Sequence, residues 1–136
     1  MGTPFTELYE NVLTKIKDHA LYNLDENEVF DILSDYLRSA IVAFIVCKQN
    51  LSDRTKEAFN VKLTDVEIEI LTNYMVIEYI DSNFIRIATL LKQSLPSKDF
   101  NAFSQANHLD KMTELREMYR RNNETLLVRY SWLSRK

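Results

Sequence analysis

The sequence holds one glycine in 136 residues, and it stands at position 2. Glycine enters positive φ without steric cost, so tight hairpin turns and loops whose backbone closes on a phosphate depend on it. A chain without internal glycine is poorly suited to a hairpin-rich β fold. P-loop, Rossmann and kinase-type nucleotide sites are excluded on the same ground.

The rest of the composition is ordinary. Apolar residues make up 46% and charged residues 27% of the chain, a balance that buries a real core rather than one typical of disorder. The length suits a single domain. The one cysteine, Cys47, permits no intramolecular disulfide, and the first residues carry no leader pattern, so manufacture in a reducing cytosol is expected. The longest purely apolar run, Ala40 to Cys47, is far short of the roughly 20 residues that cross a bilayer, and no membrane association is expected.

Hydrophobic periodicity predicts four helices. Phe5, Leu8, Tyr9, Val12, Leu13 and Ile16 recur at three and four, behind Thr3 as a capping hydroxyl and Pro4. Asp25-Glu26-Asn27-Glu28 reads as a capping box opening a second helix, whose stripe widens into Ala40 to Cys47, expected to be central core. The pattern lapses from Lys48 to Leu63, with a short extended piece expected at Phe59 to Leu63. Thr64-Asp65-Val66-Glu67 is a second capping box, opening a third helix of some 28 residues with a break expected near Asp81-Ser82-Asn83 and a stop before Pro96. Ser97 to Gln105 reads as a polar loop anchored by Phe100 and Phe103. A last helix is expected from about Ser104, with Leu109, Met112, Leu115, Met118 or Tyr119, Leu126, Tyr130 and Leu133 on its stripe. The expected architecture is an all-α bundle of about four helices over 1–128, with a long irregular segment between helices two and three. An extended C-terminal tail at 129–136 completes it.

Charge is unevenly distributed. Residues 1–40 carry three bases against eight acids, a net of −5, whereas residues 116–136 carry six bases against two acids, a net of +4. Glu28, Asp31 and Asp35 share one helix face and, with Asp25 and Glu26, form the densest carboxylate group. Without a Glu-x-x-His motif it reads as a solvated face or a docking surface, not a metal site. Cys47 with His19 or His108 is a conceivable nucleophile pair, but Cys47 closes an apolar run and both histidines lie in or beside polar connectors. No enzymatic activity, metal or other cofactor is expected.

The basic residues Arg116, Arg120, Arg121, Arg129, Arg135 and Lys136 allow two readings. One is a small helical DNA-binding or regulatory protein; the other is a set of protein contacts. Tyr130, Trp132 and Leu133 favour the second, because aromatics and arginine are enriched at interfaces while chain ends are usually small and polar.

Several stretches carry a resemblance: Gly2-Thr3-Pro4-Phe5-Thr6-Glu7-Leu8-Tyr9, Tyr36-Leu37-Arg38-Ser39-Ala40-Ile41, the run from Leu95 to Leu109, and Arg129-Tyr130-Ser131. Together they resemble small structural proteins of tailed bacteriophages, similar to helical head-tail connector, or neck adaptor, proteins. The resemblance implies a virion protein whose subunits form a homo-oligomeric ring, commonly twelve-fold, between the portal protein and the tail or next neck protein. The ring extends the channel through which DNA passes without sequence-specific binding. It places portal docking on Arg129, Tyr130, Trp132, Leu133, Arg135 and Lys136. A channel or neighbour loop falls at Leu51, Arg54, Lys56, Phe59 and Lys62. Subunit contacts are expected at Asp25, Glu28, Asp31 and Asp35 and at Arg116, Arg120 and Arg121, since acidic and basic ends make heterologous contacts that close into rings. A tail-completion or terminator subunit is the alternative within the same class.

Overall fold

The computed structural model describes residues 2–16, 26–94 and 99–133, with the side chains at 26, 83–94, 99–109 and 133 excepted. Asp25, His19, Pro96, Arg135 and Lys136 lie outside the described residues, as do the side chains of Phe100, Phe103, His108 and Leu133. Four helices follow in order: α1 (Phe5–Ile16), α2 (Glu26–Ala43), α3 (Asp65–Ser94) and α4 (Asp99–Leu133). Among the described residues there is no strand, only isolated bridges, and the architecture is an all-α bundle.

α3 is the central helix, packing against α1, α2 and α4. Its inner positions Ile70, Leu71, Met75, Val76 and Ile80 are buried, and so are Leu8 and Val12 of α1, Leu33, Leu37 and Ala40 of α2, and Met112 and Tyr130 of α4. Polar links fix the register of the pairs. Asn11 Nδ2 donates to Thr72 Oγ1 at 3.1 Å, Lys15 pairs with Glu69 at 2.6 Å, and Arg116 pairs with Asp81 at 2.6 Å.

The Thr64 capping box forms as its spacing predicts. Glu67 N donates to Thr64 Oγ1 and Thr64 N donates to Glu67 Oε1, so two otherwise unpaired helix-end amides are satisfied reciprocally. Thr3 behaves differently from its expected role. Its hydroxyl accepts from Leu63 N at 2.9 Å, and its backbone pairs with Val61 and Phe59, so residues 2–5 run against the 57–63 segment. Gly2 is the residue this crossing needs: a Cβ there would overlap the backbone carbonyl of Phe59.

Four expectations change. α3 runs unbroken through Asp81 to Asn83, where Asp81 faces Arg116 rather than ending the helix. α4 begins at Asp99, so the polar loop expected over Ser97 to Gln105 is helical from 99 onward; neither glycine nor proline interrupts it. For the same reason residues 129–133 continue the helix instead of leaving it as an extended tail. Finally, the Ala40 to Cys47 run is only partly core. Only the first half of the run is helical, but the Phe44 amide still donates to Ala40 O at 2.9 Å, so Ala40 and Phe44, four apart, face inward while Val42 on α2 and Ile45 and Val46 just past its end are exposed.

Candidate docking surface

At one end of the bundle the chain leaves α2 and meets the start of α3 and the end of α4. Glu67 is the junction, and it is 2% exposed. Its Oε2 accepts from the Tyr130 hydroxyl at 2.6 Å and from Cys47 Sγ at 3.7 Å. Its Oε1 accepts from Gln49 Nε2 at 3.0 Å as well as from the Thr64 amide at 2.8 Å. Tyr130 in turn accepts from the Lys48 amide at 2.7 Å, and its ring meets Phe44 edge-on with centroids 5.4 Å apart.

The electrostatics follow from these contacts. Burial works to raise the Glu67 carboxyl, but the Thr64 amide and the Tyr130, Gln49 and Thr64 side chains outweigh it, holding the group below the usual carboxylate value. Burial pushes both the Cys47 thiol and the Tyr130 hydroxyl up, and donation to the Glu67 carboxylate pushes them the same way. Cys47 is thus a protonated thiol beside a carboxylate, which is poor chemistry for a nucleophile.

Above this hydrogen-bonded floor the surface is apolar. Trp132 is 68% exposed, Val46 60% and Val128 58%; Ile45 and Val42, near Val46 in sequence, are exposed too. Val46, Val128 and Trp132 line one concavity of about 450 Å³ together with Leu127 and Lys48. Exposed apolar residues scattered singly need no explanation, but a group converging on one concavity is what a partner-binding face presents. Leu115, which the expected α4 stripe had placed inside, is exposed as well; of Met118 and Tyr119, the two residues offered for the next position, Tyr119 packs against the core and Met118 is exposed, and Asn123 is buried a turn further on.

The residues expected to dock or to make contacts separate clearly. Trp132 lies in the concavity and Arg129 is exposed beside it in sequence, whereas Tyr130 is 7% exposed and locked to Glu67, so it supports the surface from below. Glu28, Asp31 and Asp35 are exposed on α2. Arg116 is committed to Asp81, and Arg120 lies between Glu117 at 2.9 Å and Glu124 at 2.7 Å, leaving Arg121 outside the ion pairs among the described residues. In the 48–63 segment Arg54, Lys56 and Lys62 are exposed, but Leu51 and Phe59 are core and unavailable to a channel or neighbour. The exposure of Val42, Ile45 and Val46 went unread in the sequence, although their offset from the Ala40 and Phe44 line was there to find.

Among the described residues no group of three or more His, Cys, Asp or Glu side chains stands close enough to hold a metal, and no helix is long and apolar enough to cross a membrane. No family model matches the chain, and neither a curated protein nor a solved structure matches it.

Proposed function

We propose that this chain is a non-enzymatic structural protein of a tailed-phage virion, a head-tail connector subunit that assembles into a ring between portal and tail and extends the DNA channel. The observation that carries the reading is the apolar concavity of Val46, Val128 and Trp132, set on a floor fixed by Glu67 and Tyr130. A preformed apolar face of this kind binds without a large ordering cost. The resemblance of the chain's termini and α2 to neck adaptors supplies the class of partner, and the exposed acids of α2 with Arg121 and Arg129 of α4 supply the steering charges.

The DNA-binding alternative draws less support, because Arg116 and Arg120, two of its central cations, are neutralised within the chain by Asp81, Glu117 and Glu124. The test is mass by light scattering on the chain alone and mixed with the portal protein encoded nearby, at low and high salt. The parent chain joins the portal as a stoichiometric ring. Trp132→Ser, and a chain lacking Ser131 to Lys136 but keeping Tyr130, remain folded and fail to join. If the parent chain ignores the portal in both salts, a tail-completion role replaces this one. If the shortened chain still decorates portals, the docking surface lies elsewhere.

A further inference from the structure

A second concavity, of about 390 Å³, lies between α1, the middle of α2 and the turn at 54–56, and shares no lining residue with the apolar face described above. Its floor includes Phe5, Tyr9 and Leu37, all buried. Its rim is cationic: Arg38 comes from α2, and Arg54 and Lys56 from the turn. No carboxylate lines it. All three cations are exposed, and none takes part in the ion pairs among the described residues.

The rim is held in place. Arg54 Nη1 donates to Leu51 O at 2.9 Å, Thr55 N to Ala58 O at 2.8 Å, and Asn60 N to Asp53 O at 2.9 Å, while Phe5 N donates to Glu57 O at 2.9 Å and fixes the turn to the start of α1. With the turn's backbone and Arg54 fixed beside an apolar floor, and no carboxylate among the ion pairs claiming these cations, part of the ordering is done before binding.

We infer that this cleft takes an acidic peptide segment of a partner protein, its carboxylates on Arg38, Arg54 and Lys56 and an apolar side chain over Phe5, Tyr9 and Leu37. The guanidinium fork suits a carboxylate in plane, and the apolar floor rewards a side chain, which a phosphate backbone does not offer. Duplex DNA is disfavoured for a second reason. Asp31 stands one turn before Ser34 and its charge reaches Tyr9 on the floor. An acidic segment must therefore keep its carboxylates at the Arg38, Arg54 and Lys56 side, which a short segment can do and the continuous charge of a duplex cannot.

The test uses the full chain and a short fluorescein-labelled peptide of alternating glutamate and leucine, followed by anisotropy. A lysine-leucine peptide and a labelled DNA duplex serve as comparisons. The glutamate peptide binds, the other two do not, and binding weakens with salt. Arg38→Glu with Lys56→Glu lowers affinity at least about tenfold. Ser34→Trp, which fills the cleft without changing its charge, does the same, and both variants keep the parent's circular dichroism and melting temperature. Trp132 is the only tryptophan, so its emission reports on the other face and stays unchanged as the peptide binds. Any of four results overturns the inference: no binding of the glutamate peptide at low salt; undiminished binding by either variant; capture of the duplex through these cations; or self-association of the parent chain that the charge-reversed variant abolishes. None of these bears on portal docking, which is read separately.

Discussion

At Glu67 one carboxylate accepts from Thr64, Gln49, Tyr130 and Cys47, at the point where α2's exit, α3's start and α4's end converge. Every one of those donors loses a charged acceptor if the residue becomes neutral. Glu67→Gln, which also turns an amide donor toward existing donors, is therefore expected to cost about 3 kcal/mol in urea unfolding at neutral pH. Tyr130→Phe keeps the ring against Phe44 but leaves the Lys48 amide without its acceptor, and is expected to cost about 2 kcal/mol. The pH dependence has a definite sign. The folded-state pKa of Glu67 lies below its ordinary value of 4.5, so its stabilisation is complete above that value and is lost as pH falls through the folded one. A urea series from neutral to acid pH should show stability declining below about 4.5 in the parent, and a flatter acid limb in Glu67→Gln.

The elements owe their inner faces to spacing, and the spacing makes the end of α2 and the residues just past it testable. Phe44 is core while its neighbours Val42 and Ile45 are exposed, so Phe44→Ala should cost about 3–5 kcal/mol. Val42→Ser and Ile45→Ser should each change stability by less than about 0.5 kcal/mol in the same unfolding assay. The contact between α3 and α4 carries a different feature, the buried pair Asn73 and Asn123. Asn73 Nδ2 donates to Asn123 Oδ1 at 3.4 Å, and Asn123 Nδ2 has no partner among the described residues. Replacing one asparagine with leucine strands the other and should lower the melting temperature, while replacing both should restore or raise it, since an apolar pair leaves no buried donor unmet. A double-mutant cycle in thermal melts measures the difference. These elements also mark what local pattern can carry. The four helices were legible because Phe5 to Ile16, Val29 to Phe44 and Val66 to Ile80 repeat at three and four, and the cap at Thr64 because both of its partners lie within one turn. Tyr130 stood on the expected stripe and is buried there, but its hydrogen bond to Glu67, some 63 residues away, lay beyond local pattern. The start of α4 was missed because asparagine, serine and aspartate mark loops only on average. The candidate docking face was half legible: Trp132 stood out among arginines, but Val46 was hidden inside a run that looked uniformly apolar.

Across the whole molecule the opposed charges at the two ends are less free than the sequence count implies. Arg116 and Arg120 spend their charge on Asp81, Glu117 and Glu124, and the contacts to them depress Glu117 and raise both guanidiniums, the hydrogen bonds being the largest cause in each case. Arg121 and Arg129 take no part in the ion pairs among the described residues, and both are exposed on the helix that also carries Val128 and Trp132. Glu28, Asp31 and Asp35 are likewise exposed on α2. On the proposed connector reading, the part of the steering that comes from the C-terminal basic cluster therefore falls to Arg121 and Arg129 rather than to the full cluster. On that proposed reading, reversing them together, Arg121→Glu with Arg129→Glu, should leave the melting temperature unchanged while slowing association with the portal and removing most of its salt dependence. Reversing Arg116 and Arg120 instead should lower the melting temperature, because it sets like charges against Asp81, Glu117 and Glu124. Stopped-flow association rates at several salt concentrations, read beside thermal melts of the same variants, separate the two pairs. If the Arg116 and Arg120 variant alone lost its salt-dependent rate, the steering charge would belong to the paired arginines and the docking face would have to be moved toward them.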